Sequence, residues 1–185
     1  MDNGASSYRR FLDGDDSGIV EIVRDYKDGL ILYLNGYVNN IFIAEELTED
    51  TFFKLMVKKP GFLPKYSFKT WLYTIGRNVA LDYIRKRKKI ATDTIENYEF
   101  LAKEEDTLLQ EYLREEQKQM IHKALEKLKS EYKEVLQLTY FEGFTNAETA
   151  KIMKKSKRQV EMLVYRAKKS LKTELLKEGF GYEEL

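Results

Sequence analysis

The sequence predicts an all-helical protein of two small domains joined by a flexible acidic linker, the second containing a helix-turn-helix. Three observations lead there. The 185-residue chain has only two prolines, Pro60 and Pro64, so long stretches carry no helix breaker. Apolar residues recur at threes and fours through most of its length. Two helix-start signals stand close together near the C-terminal end: Thr145 with Glu148, a T-x-x-E capping box, and Ser156 with Gln159. Between them fits a helix of about eight or nine residues and a turn of about three.

Composition narrows the class. Charged residues make up 34% and hydrophobic ones 43%, a mix suited to water, and no apolar run approaches the ~18–20 residues of a membrane span. No membrane insertion is expected. The N-terminus lacks the basic-then-apolar order of a signal peptide. With no cysteine there are no disulfides or thiolate metal sites, and the cytoplasm is the expected compartment. The net charge of +1 conceals segregation. Residues 1–50 hold 11 acids against 4 bases, and 54–89 hold 11 bases against the single acid Asp82. Residues 91–118 hold 9 acids against 3 bases, and 151–172 hold 9 bases against the single acid Glu161. Two basic blocks flanking an acidic one imply two polyanion contacts.

In chain order, residues 1–14 read as loosely ordered. A helix is expected from about Ser17, with Ile19, Ile22, Val23 and Tyr26 on its apolar face. Gly29 interrupts it, and Leu30, Leu34, Tyr37, Val38 and Ile41 continue the face. The next helix starts near Ile43, where Leu47, Thr51 and Leu55 stack at four-residue spacing and Phe52 widens the stripe. Glu45, Glu46, Glu49 and Asp50 crowd its start, where the helix dipole favours carboxylates. They read as a surface for a basic partner or as a solvated face; a calcium loop would need a glycine-turned segment that is absent.

The irregular segment 58–67 interleaves Phe62 and Tyr66 with lysines. Such a loop can stack an unpaired base and hold its phosphate. A basic surface loop with two anchoring aromatics has the same composition. A long helix follows from Ser67, with Phe68, Leu72, Ile75, Val79 and Tyr83 as its core stripe. Thr74, Asn78 and Arg85 lie on one polar flank. Five consecutive bases, Arg85 to Lys89, close it.

At this point the residues resemble a known family. The runs Ala44-Glu45-Glu46-Leu47-Thr48-Glu49-Asp50-Thr51-Phe52 and Phe68-Lys69-Thr70-Trp71-Leu72, continued by Ile75-Gly76-Arg77-Asn78-Val79-Ala80-Leu81-Asp82 and Arg85, resemble the first domain of extracytoplasmic-function (ECF) sigma factors. The helix-turn-helix, preceded by the run from Tyr132 to Gly143, is similar to the second domain. The resemblance covers about residues 15–178 in the family's order. The departures are Glu49 where glutamine is usual, Lys129 for a common proline, Lys154 where glycine is frequent, and Glu161 and Met162 on the recognition helix.

The resemblance implies a sigma region 2-like domain over 15–90, a linker over 91–104 and a region 4-like domain over 105–178. It implies a non-enzymatic subunit that joins bacterial RNA polymerase core, at its clamp helices and flap, and recognises promoter DNA. No cofactor and no metal are implied; an anti-sigma factor is an expected partner. Glu46, Leu47, Glu49, Asp50 and Phe53 would bind core polymerase. Lys59, Phe62, Lys65 and Tyr66 in the loop would meet the minus-ten element, with Trp71, Asn78, Arg85, Arg87 and Lys88 on the following helix. Arg158, Gln159, Glu161, Met162, Tyr165, Arg166 and Lys169 would meet the minus-thirty-five element.

The linker reads as polar, and a helix is expected from Glu104, with Leu108, Leu109, Tyr112 and Leu113 on its apolar face. It continues through Met120, Ile121, Ala124, Leu125 and Leu128. His122, the one histidine, has no catalytic partners in the pattern. In the second helix of the motif, Val160, Leu163, Val164, Ala167 and Leu171 fall on one side at about 100° per residue. Two other readings stay open from the residues alone: a stand-alone helix-turn-helix regulator using only 130–175, and a helical adaptor that binds proteins.

Overall fold

The computed structural model describes residues 3–93, 121 and 123–177. Among these, every regular element is a helix. The linker expected at 91–104, most of the helix expected from Glu104, His122 and the tail beyond Lys177 lie outside the described residues. The exception is at the linker's start, where helix continues to Asp93.

The N-terminus corrects the sequence reading. Residues Asn3–Leu12 form a helix, α1. Its buried face is short: Tyr8 is 1% exposed, and Phe11 and Ser7 are also buried. Ala5, Tyr8 and Phe11 recur at three-residue spacing on one face, and packing of that face holds so short a helix. It crosses the next helix, α2 (Ser17–Val38), at Gly18. A Cβ there would lie 2.1 Å from the Ser7 carbonyl oxygen, so only glycine permits this approach.

α2 runs unbroken through Gly29, contrary to the expected interruption. Asn39 in the left-handed conformation ends it, and the Asn40 side chain accepts from the Ile43 N–H at 3.1 Å to cap α3 (Ile41–Lys58). Ala44, Leu47, Thr48, Thr51, Phe52 and Leu55 are its buried side. The buried hydroxyls of Thr48 and Thr51 donate to the carbonyls of Ala44 and Leu47, so neither is orphaned.

The loop 59–67 leads to α4 (Phe68–Asp93). Phe68, Leu72 and Val79 of the expected stripe are buried, and Ile75 and Tyr83 are partly so. Gly76 lets α4 pass α2 closely, its missing Cβ lying 3.0 Å from a Leu30 methyl.

In the second half, residues 123–126 are helical and Ala124 packs against Leu175. α5 (Ser130–Leu136) widens into a π-helical turn, Gln137–Phe141. Then come α6 (Asn146–Met153) and α7 (Lys157–Lys177). Both capping signals operate. Thr145 and Glu148 exchange side-chain and backbone bonds, and Ser156 and Gln159 do the same. Lys154 turns the chain in the left-handed conformation at φ 55°, the position where glycine would be easiest.

The two halves dock. Phe144 packs edge-on to Tyr73 at 5.0 Å, and one continuous apolar core runs from α1 to α7. Gly29 explains why α2 carries a glycine in mid-helix. A Cβ there would lie 2.6 Å from the Tyr73 hydroxyl and 3.1 Å from Glu142 Oε2.

Candidate nucleic-acid interface

α7 is amphipathic in the way the spacing predicts. Val160, Leu163, Ala167 and Leu175 are buried, and Val164 and Leu171 partly so. Arg158, Gln159, Glu161, Met162, Tyr165, Arg166 and Lys169 are all exposed. A shallow groove at the helix start is lined by Lys155, Ser156, Arg158, Gln159, Met162 and Arg166. Cations, one amide and an aromatic on one rigid helix face match what a major groove offers: phosphates at its edges and donors and acceptors on its floor.

The second surface comprises the loop and one flank of α4. Lys59, Lys65, Arg85, Arg87 and Lys88 are exposed. Leu63, which the sequence reading passed over, is 81% exposed at the loop tip. Phe62 is not a free stacking platform. Its ring packs against Phe68 at 5.7 Å and Trp71 at 5.3 Å, so it anchors the loop. Trp71 is itself held among Tyr8, Phe62 and Phe68. The aromatic spacing could not distinguish an anchor from a platform, because both need a ring beside lysines.

Docking engages part of this surface. Lys154 Nζ donates to Asn78 Oδ1 at 3.1 Å, and Lys151 Nζ lies 5.1 Å from the Tyr66 ring centre. The hydroxyls of Ser67 and Thr70 donate to Glu148 Oε1 at 3.2 and 3.1 Å. Glu142 is held at three points: by Tyr73 at 2.6 Å, and by Lys69 at its carboxylate (3.0 Å) and its carbonyl (2.8 Å). Burial, then the Glu142 carboxylate, pushes the Tyr73 phenol well above its ordinary range, so it stays a donor.

On α3, Glu46, Glu49, Asp50 and Phe53 are exposed, Phe53 by 58%. Leu47 corrects the expected set: at 3% exposed it belongs to the core and offers no contact area. Phe42, Met56 and Val57, at 68%, 40% and 62%, extend the exposed stripe instead. The signal was present, since 42, 46, 49, 53 and 56 keep three- and four-residue spacing on one face. Apolar side chains and carboxylates thus share a single exposed strip, a composition suited to contact with another protein.

These features are those of a helical DNA-recognition protein that also exposes a mixed apolar and acidic strip on α3. The comparisons sharpen this. A family model described as Sigma-70 region 2 matches residues 22–90, and one described as Sigma-70, region 4 matches residues 118–171. The chain is 28% identical over 163 residues to the RNA polymerase sigma factor SigV of Bacillus subtilis, covering 88% of this chain and 94% of that one. It is 25% identical over 174 residues to the ECF RNA polymerase sigma factor SigW of the same organism, covering 88% and 91%. Among solved structures it is similar to the sigma factor RpoE from Bartonella quintana, in complex with the anti-sigma factor NepR. The TM-score is 0.66 at 26% identity, over 85% of this chain and 95% of that chain. The chain belongs to the sigma-70 family, as an RNA polymerase sigma factor of the extracytoplasmic-function type.

Proposed function

We propose that the chain works as a non-enzymatic, cytoplasmic promoter-specificity subunit whose three surfaces divide the labour. Residues 15–90, together with α1, form the unit that meets core polymerase and the minus-ten element. Residues 91–104 are the linker, and 105–178 meet the minus-thirty-five element. The polymerase core supplies the chemistry. Glu46, Glu49, Asp50 and Phe53, extended by Phe42, Met56 and Val57, bind the core's clamp helices. The carboxylates meet basic groups while the apolar side chains desolvate the contact. Lys59, Lys65, Arg85, Arg87 and Lys88 hold phosphates near the minus-ten element, with Leu63 and Tyr66 at the opened strand. The exposed face of α7 reads the minus-thirty-five duplex. Since the related RpoE is in complex with an anti-sigma factor, a partner of that kind is proposed for this chain as well.

One observation carries this reading. A single chain holds both matched segments in order, and each leaves an exposed basic surface aimed away from its core. The test is run-off transcription with bacterial core polymerase on a promoter selected from a random library. Changing Arg158, Arg166 and Lys169 together to Ala should lower transcription and flatten its salt dependence, by about 0.9 in log–log slope for each phosphate no longer neutralised. Unchanged transcription and slope would contradict the assignment of α7.

A further inference from the structure

Helix α1 lies ahead of the first matched segment, which begins at residue 22, yet it touches the loop assigned to the minus-ten element. The Tyr8 hydroxyl donates to the Pro60 carbonyl at 2.8 Å, bridging 52 positions. The Tyr8 ring sits 5.6 Å from Phe68 and 5.2 Å from Trp71, the rings that grip Phe62 from the other side. Lys59, where the chain leaves α3 in the left-handed conformation, places its Nζ 4.8 Å from the centre of Phe11. Thus α1 holds the start of the loop by a side-chain hydrogen bond to a loop carbonyl and a cation–π contact, and its middle through Trp71 and Phe62.

What this leaves outside is specific: Leu63 and Lys65 project from the loop while Phe62 stays anchored. We infer that α1 is a strut which fixes the 59–67 loop in its strand-capturing shape, with Tyr8 as the positioning residue. The inference rests on the assignment of that loop to the minus-ten element. A base flipped from a duplex must meet a preformed site, since any ordering of the loop on binding subtracts from the energy available to unstack it. Burial pushes the Tyr8 phenol up to about 12, so it remains a donor at every working pH. The other interactions of α1 keep the helix in place when one hydroxyl is removed. Gly18 admits the close crossing, and Arg10 pairs with Glu21 and Asp15.

The experiment compares Tyr8→Phe, Leu63→Ala/Lys65→Ala and the wild type, each full-length with bacterial core polymerase on a promoter selected by the wild type. Promoter opening is read by permanganate reactivity of minus-ten thymines, and core binding by co-elution. Tyr8→Phe should slow opening about three- to tenfold, the size of one net hydrogen bond, with core binding held and the melting temperature lowered by no more than about 2–4 °C. On a template already unpaired at minus ten the defect should shrink. Wild-type opening by Tyr8→Phe, with a defect in the Leu63/Lys65 variant, overturns the strut alone. Wild-type opening by the Leu63/Lys65 variant overturns the loop assignment and the strut with it. Loss of core binding in step with opening also overturns the strut, because Tyr8 would then serve only folding.

Discussion

Glu134 Oε1 lies 2.7 Å from Arg77 Nε across 57 positions, with both side chains nearly closed off from solvent, at 7% and 13% exposed. Tyr33 adds its hydroxyl at 3.4 Å to the same oxygen. Burial works against the guanidinium charge, but the Glu134 carboxylate more than offsets it and holds Arg77 above its ordinary range. The guanidinium therefore stays charged, and the contact pins α5 to α4. Truncating one partner leaves a desolvated charge. Glu134→Ala should lower stability by about 3 kcal/mol, and the double change Arg77→Met/Glu134→Leu should recover much of it. Urea melts of the double-mutant cycle measure this; additive losses would contradict coupling.

Gly29→Ala separates two opposing effects. Alanine should favour the helix by about 1 kcal/mol. Here its methyl would meet Tyr73, whose ring is fixed between Tyr33 at 5.2 Å and Phe144 at 5.0 Å and cannot swing aside. The expected outcome is unchanged helicity by circular dichroism with a larger radius of gyration by solution scattering. A more stable, equally compact variant would contradict it.

Acid should loosen the same junction. Burial raises the Glu148 pKa, but hydrogen bonds from the Thr145 backbone and hydroxyl, Thr70 and Ser67 outweigh it, and the net shift is downward from 4.5. A depressed carboxylate stabilises fully above its unfolded value and loses that contribution as pH falls through the folded one. Glu148→Gln should therefore be less stable than wild type at neutral pH, and the gap should close below about pH 4. A gap independent of pH would rule out the charge as its origin.

Lys154 tests the turn. A β-branched residue in the left-handed conformation costs about 1–2 kcal/mol, so Lys154→Val should lower the melting temperature. Lys154→Gly should stay within about 1 kcal/mol of wild type, the eased strain offset by greater freedom of the unfolded chain. Equal melting of the valine variant and wild type would contradict the strain.

The sequence readily exposed what depends on neighbours along the chain. Thr145 with Glu148 and Ser156 with Gln159 are local hydrogen-bond pairs, so their spacing alone places α6 and α7. The α7 face follows from periodicity for the same reason. What depends on distant neighbours was hidden. Ala5, Tyr8 and Phe11 keep helical spacing, but the partners that make α1 matter, Pro60, Phe68 and Trp71, lie far along the chain. Gly29 reads as punctuation until Glu142 is seen beside it. Leu47 and Phe53 share one helix in the sequence, yet packing buries the first and exposes the second. Glu134, Glu142 and Glu148 look like solvated charges, whereas each bonds to α4 or to the loop before it.

The most direct measurement of the central claim is binding of the purified chain to bacterial core RNA polymerase, read by co-elution on size exclusion. Wild type should co-elute. Phe53→Ala/Met56→Ala, which removes exposed side chains and spares the core, should melt like wild type yet elute apart from the polymerase. Separation of the wild-type chain from a cognate core would contradict the sigma-factor account itself.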